Sequence, residues 1–371
     1  MGKRELLLIA AFVLVGGIVY QFTAPPPAPG ERNFAPGQVL EHVRRAMRGN
    51  RASAELTTRT THPVDADVSE LRFADLKSTN VNITGEDRSD IAAELRVRSN
   101  AYDDDEAQRT AKESVLKVDR AGSRMVFTVA YPAAGVQRGW ITMKVPRRLA
   151  VQVQGGGNDL SFNHIAALQL GGARGKVAIS DVKALVSGAH RGGELSIVNA
   201  GAVKLTVNGT DAEIERIGGE TSITMRGGEL KCAELAGPID LETQGTDITL
   251  DRMEKTGGIV RINAVGGSLE VKGLRTEGRF DVRGAEVDAT IDRAAPLAIY
   301  SEGGASIELT PPTGGYQLDA IATDGPLEVP PDTLEITSTG SEHRATGPIN
   351  GGGPTITIRS RRGSITVRER N

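Results

Sequence analysis

The sequence predicts an all-β fold, a parallel β-solenoid built of short glycine-punctuated strands, and three observations lead to it. The phrase Arg191-Gly192-Gly193-Glu194-Leu195 recurs as Arg226-Gly227-Gly228-Glu229-Leu230, 35 residues on (226 − 191). A longer set, Gly218-Gly219, Ile223, Gly227-Gly228, Leu230, Cys232 and Leu235, recurs 39 residues on (257 − 218) as Gly257-Gly258, Ile262, Gly266-Gly267, Leu269, Val271 and Leu274. Internal periods of this size mark repeat architectures. The third observation is alternation: Leu195/Ile197, Leu205/Val207, Ile223/Met225, Leu269/Val271 and Ile307/Leu309 each read apolar-x-apolar before a turn. That pattern is a strand with one buried and one wet face.

The turns between strands are Gly-Gly, Asn208-Gly209 and Asp324-Gly325, residues suited to positive φ. Two strand-turn units make one coil of roughly 20 residues, within the range of solenoid repeats. Two tandem sandwiches are the alternative, but the strands are shorter than sandwich strands and run from Leu149 to Val367 without a break. Aromatic residues are only 4% of the chain and Gly numbers 45, so aliphatic side chains must fill a narrow interior. Cys232, the sole cysteine, excludes an intrachain disulfide and falls on an inward position as a small apolar filler. A net charge of −3 gives no field favouring nucleic acid.

Five segments are expected in chain order. Residues 1–24 form a transmembrane anchor: Leu6 to Ala24 is uncharged and follows Lys3 and Arg4. About 20 apolar residues span a bilayer, and the leading cations place the N-terminus in the cytoplasm and the main domain in the periplasm or outside. A cleaved signal peptide is the competing reading, weakened by Phe22 and Pro25 around Ala24. Residues 25–36 form a stiff Pro-rich linker, and residues 37–78 hold a short membrane-proximal helix and an irregular segment. Residues 79–146 form a small mixed cap. Its strands lie around Val81–Ile83, Ala93–Val97, Val115–Val118, Met125–Ala130 and Trp140–Val145, and its short helix is opened by Asp103-Asp104-Asp105-Glu106. Acidic residues at that point favour the positive helix end, and the spacing lacks the alternation and glycine of a calcium loop. Residues 147–371 are the coils.

The run Trp140-Ile141-Thr142-Met143-Lys144-Val145-Pro146 with Leu149, Val151 and Val153, the ending Ile356-Thr357-Ile358, Gly363, Ile365 and Val367, and the opening Val81-Asn82-Ile83-Thr84-Gly85 resemble the bacterial putative-adhesin family. That family is a domain of unknown function made of β-strand repeats. The resemblance covers roughly residues 79 to 369 and implies a surface-binding module, with no catalytic or ligand residues to carry over. Pro311-Pro312 and Pro330-Pro331 depart from an even repeat, so irregular last coils are expected.

No catalytic, cofactor or metal site is expected, and the binding residues stay unassigned. His42, His62, His164, His190 and His343 have no nucleophile elbow and no ligand spacing, and each reads as a surface or loop residue. Gly155-Gly156-Gly157-Asn158-Asp159-Leu160 reads as a turn feeding a strand, not a calcium nonapeptide. Asp247, Asp251, Glu270, Asp281, Glu286 and Asp288 supply acids for a polysaccharide-active enzyme, but outward strand positions are polar by default. The basic residues Arg359, Arg361, Arg362, Arg368 and Arg370 read as a charged cap against end-to-end strand addition. The expected protein is therefore a non-enzymatic, membrane-anchored adhesin-like binding or structural module. Its partners are the membrane, through the N-terminal helix, and an envelope protein or polysaccharide. An envelope sensor or assembly subunit is the second reading.

Overall fold

The computed structural model describes Phe12, Val15 and residues 52–370 apart from 75, 77, 156–158, 254–255 and 331–333. The expected linker and membrane-proximal helix lie outside the described residues. So does the expected anchor, except Phe12 and Val15, which are helical and exposed. Among the described residues no helix is long and apolar enough to cross a membrane. The chain divides into two compact units, one of residues 52–57, 96–115 and 130–138 with the described N-terminal residues, the other of residues 58–95, 116–129 and 139–370.

In chain order the elements begin with β1 (Ala52–Pro63), β2 (Glu70–Ala74), β3 (Thr79–Glu86), β4 (Asp90–Ala101), α1 (Asp104–Glu113), β5 (Val115–Ala121), β6 (Arg124–Ala130) and β7 (Val136–Pro146). The described part of the 37–78 segment, expected to be irregular after its helix, thus carries two strands, β1 and β2, and β3 opens at the expected start of the cap. In the first unit, α1 starts as the acid run predicts: the Asp103 carboxylate accepts from the Glu106 N–H at 2.8 Å, capping an orphan donor. Thr110 is buried there, and its hydroxyl meets that of Ser99 at 2.7 Å.

The second unit is the coil stack. It continues through β8 (Ala150–Gln154), β9 (Leu160–Asn163), β10 (Ala167–Ile217), β11 (Thr221–Arg226), β12 (Glu229–Leu235), β13 (Ile239–Asp251), β14 (Val260–Leu274), β15 (Gly278–Arg283), β16 (Glu286–Ile291), β17 (Leu297–Glu302) and β18 (Ile307–Thr310). Pairing between successive coils is parallel. Val203 lies beside Thr221, and Thr221 beside Ile239, so one coil there is 18 residues (221 − 203). Each coil contributes one strand to each of two faces, and the regularity is high enough that β10 and β13 run unbroken through their corners.

Inward positions form ladders. Leu205, Ile223, Leu241, Ile262, Phe280, Ile299 and Ile358 stand in register on successive strands, and all are buried. Burial of each such side chain contributes roughly 1.5–3 kcal/mol, which offsets the ordering of short strands. Cys232 sits in the other face's ladder between Ile214 and Leu250 and is buried, as the repeat predicts. Burial pushes its thiol up to about 12.

The recurring phrase spans two coils, not one. Gly193 packs on Gly175, Gly228 on Thr210, and Gly267 on Thr246, each on the residue one coil earlier. Thr210 and Thr246 therefore occupy the intervening coils at the same corner. The expectation of positive φ holds for Gly192-Gly193, Gly227-Gly228 and Gly266-Gly267, but not for Gly218-Gly219. The opposite corner is turned mostly by other residues: His164, Asp181, Asn199, Arg216, Glu234 and Arg252 all adopt φ between 52° and 61°, and only the next coil places a glycine there, Gly273 at φ +75°. Side-chain contacts tie these corners together, such as Asn199 to Asp181 and Arg252 to Glu234.

Both extremities of the stack are threaded out of sequence order. β2 and β3 pair with β8 and β9 on one side and with β6 and β7 on the other. After β18 come β19 (Tyr316–Thr323), β20 (Leu327–Glu328), β21 (Ile336–Thr339), β22 (Glu342–Ile349), β23 (Thr355–Arg361) and β24 (Ile365–Val367). β23 inserts between β17 and β19, parallel to both, and β24 inserts between β18 and β20. β22 then covers the far edge of β19 antiparallel, with β21 beyond it. The prolines at 311–312 mark this departure, as the sequence anticipates.

Candidate functional site

Five neighbouring strands of one face, β14, β15, β17, β23 and β19, carry a cavity of about 700 Å³. Their alternation directs one residue in two outward. Register sets two outward rows across the strands: Asn263, Asp281, Tyr300, Arg359 and Ile321, then Val265, Arg283, Glu302, Arg361 and Thr323. Every one of these residues lines the cavity. Val265 is 46% exposed and Tyr300 38% exposed, two of the few large apolar side chains left open to solvent among the described residues.

Most charges here are already matched. Asp281 accepts from Arg279 Nε at 2.8 Å, and the Arg279 guanidinium lies 5.3 Å from the centroid of the Tyr300 ring, within cation–π range. Arg283 and Glu302 approach to 3.7 Å. Arg359 pairs with the Asp319 carboxylate and donates to the Asp319 carbonyl at 2.7 Å. Burial pushes the Asp319 carboxyl up, but its bonds to Arg359 and Thr346 and the charges of Arg359 and Arg344 prevail and hold it below the usual range. The Arg361 guanidinium has no hydrogen-bond or ion-pair partner among the described residues, although Glu302 stands beside it in register.

The expected basic end cap is corrected here. β23 is an interior strand, so Arg359 and Arg361 line the cavity, Arg368 pairs with Glu308, and Arg370 binds Asp292 and the Ile291 carbonyl. Of the expected acids, Glu270 and Asp288 stand side by side in register, but Glu270 is held by Lys272 at 2.8 Å. Asp247 binds Ser268, and the acids as a set are spread over several coils. Among the described residues no group of three or more His, Cys, Asp or Glu is placed to hold a metal ion.

His190 overturns the surface reading of the histidines. It is fully buried, with Nδ1 3.1 Å from the Thr210 hydroxyl and Nε2 donating to the Gly175 carbonyl at 3.2 Å. Burial pulls its pKa below the ordinary imidazole value, against an upward pull from that carbonyl. His190 sits at the glycine corner and knits three coils. His164 lies 3.6 Å from Asp181, and His343 meets Ser338 at 2.8 Å. His42 and residues 156–158 of the glycine turn lie outside the described residues. Sequence reading missed the cavity because residues near 263, 281, 300, 321 and 359 meet only through register, and the last two through insertion.

The described coils form a two-faced parallel β-solenoid, one face of which carries this open cavity. The family profile described as Toastrack DUF4097 matches residues 68–368, and the chain belongs to that family. No curated protein matches. Solved structures of similar course include a putative adhesin of Parabacteroides merdae, at 12% identity over 85% of this chain and 96% of that one, with a TM-score of 0.33. A putative adhesin of Parabacteroides distasonis shares 11% identity over 85% and 97%, with a TM-score of 0.27. A putative cell adhesion protein of Clostridium sporogenes shares 10% over 86% and 100%, with a TM-score of 0.18.

Proposed function

We propose that this chain is a membrane-tethered, extracytoplasmic binding module that engages its ligand through the β14–β15–β17–β23–β19 face and does no chemistry on it. The cavity on that face carries the reading: beside exposed Val265 it combines exposed Tyr300 with the uncommitted Arg361, and tyrosine and arginine are residue types that dominate binding energy at recognition surfaces. Its carboxylates are matched to arginines, which suits orientation of a ligand and not proton transfer. The uncharged run Leu6–Ala24 behind Lys3 and Arg4 supports the tether, and the Pro25–Pro29 stretch would hold the coils away from the bilayer.

The test is co-sedimentation of the full-length chain with the insoluble cell-wall fraction, comparing wild type with Val265→Asp/Arg361→Glu. Wild type should pellet and the double variant should stay in solution with unchanged circular dichroism. Equal pelleting of both would remove this face from the function. Protease added to intact spheroplasts should digest the coils; full protection would place them in the cytoplasm and refute the topology.

A further inference from the structure

We infer that the cavity is a subsite for an acidic polysaccharide, with a sugar ring packed on Tyr300 and its carboxylate held by Arg361. The inference rests on the binding-face reading above and names its ligand class. The size is appropriate, because small-molecule sites span roughly 300–1,000 Å³ and the cavity is about 700 Å³, room for a short oligosaccharide.

Three features select the chemistry. First, β15, β17, β23 and β19 are paired on both sides, so no backbone edge is free and a peptide cannot join the face as an added strand. Recognition must come from side chains. Second, those side chains are an exposed aromatic ring beside planar polar groups, Asn263, Asp281, Arg283 and Glu302, which suit the apolar face and hydroxyl rim of a pyranose. Third, the charge left over is positive and single. Arg359 is committed to Asp319 and Arg283 to Glu302, whereas Arg361 is uncommitted. Tyr300 and Arg361 are diagonal neighbours on parallel paired strands, about 8 Å apart at Cα from the strand spacing and rise, a span that one uronate ring bridges. A guanidinium takes a carboxylate in a two-pronged bond stronger than neutral hydrogen bonds.

The site exists only because β23 is inserted. Tyr300 and Glu302 come from β17, Arg361 from β23, and Thr323 from β19, so the penultimate strand supplies the cation between two strands that it separates.

The experiment is calorimetric titration of the full-length chain in detergent with oligogalacturonate, with its methyl ester and with inorganic polyphosphate. Oligogalacturonate should bind. The ester should bind at least tenfold more weakly, and so should oligogalacturonate to Arg361→Gln or Tyr300→Ala. Arg361 is exposed and unpartnered, so its replacement leaves folding intact, which thermal melts check. Polyphosphate bound as tightly as oligogalacturonate, or binding indifferent to both substitutions, would overturn the inference. If oligogalacturonate fails to bind while cell-wall pelleting still depends on Val265 and Arg361, the ligand class is wrong and the binding face stands. If neither depends on them, both readings fall.

Discussion

Replacing Gly228 by alanine should destabilise the coil stack far more than the same change at its neighbour Gly227. Both glycines have positive φ, +88° and +67°, so an alanine at either carries roughly 1–2 kcal/mol of left-handed strain. The surroundings separate them. A Cβ on Gly228 would sit 2.8 Å from the Thr210 carbonyl carbon and 2.9 Å from its nitrogen, with the carbonyl oxygen closer still. Those atoms are backbone of the preceding coil and can yield only if the coil spacing opens, which adds about 1–3 kcal/mol as overpacking does. A Cβ on Gly227 meets nothing within 4 Å. At both positions the reduced freedom of the unfolded chain returns about 0.4–1 kcal/mol. The expected losses are about 1–4.5 kcal/mol for Gly228→Ala and about 0–1.5 kcal/mol for Gly227→Ala. Gly193→Ala and Gly267→Ala should follow Gly228, because each meets the corresponding backbone one coil back. Urea unfolding followed by circular dichroism reads the difference, with unchanged m-values as the check on cooperativity. Equal losses at 227 and 228, within about 0.5 kcal/mol, would refute the close-contact argument.

Three further outcomes are expected. Cys232, buried and with its thiol raised to about 12, should resist a thiol-specific disulfide reagent in the native chain and react fully in denaturant, and Cys232→Val should cost under about 1.5 kcal/mol. Rapid native labelling would contradict the inward placement. The depressed pKa of Asp319 means that its stabilisation is present above the ordinary carboxylate pKa and is lost as pH falls through the folded value. Acid should therefore loosen β19, β22 and β23, seen as hydrogen-exchange protection, corrected for the intrinsic rate, that falls with acid in the native chain and no longer does so in Asp319→Asn. The depressed pKa of His190 likewise gives stability present above pH 6.5 and lost as pH falls below it, because the unfolded chain binds the proton first. Its ring resonances should titrate below 6.5 in NMR spectra, and titration at or above that value would show that the ring is not buried.

Architecture was legible in the sequence because each coil repeats the same local requirements. Alternation set which residues face inward, and close backbone approach at one corner forced glycine at 193, 228 and 267, leaving a readable mark. The opposite corner left none: Asp181, Asn199, Arg216 and Glu234 take left-handed conformations that their letters do not announce. Thr210 and Thr246 replace glycine in alternate coils, so the phrase repeats at twice the true period. His190 reads as a polar residue in any one-dimensional view. Only the coil above and the coil below supply the Thr210 hydroxyl and the Gly175 carbonyl that let it be buried.

The cavity lies wholly on the side of tertiary structure. Asn263 and Arg359 share one row because strands stack in register, and register is a property of neighbours. Nothing local in Thr355–Arg361 states that it will enter between β17 and β19. As a strand it can pair wherever two parallel edges are open, and here it lies between β17 and β19 while β22 runs antiparallel along the other edge of β19. The sequence by itself determined the coil, its inward ladder and its glycine corner, because those follow from side-chain alternation and backbone sterics. The tertiary structure decided coil order at the two extremities, the burial of His190 and the gathering of Tyr300 with Arg361, because each depends on hydrogen bonds between segments far apart in the chain.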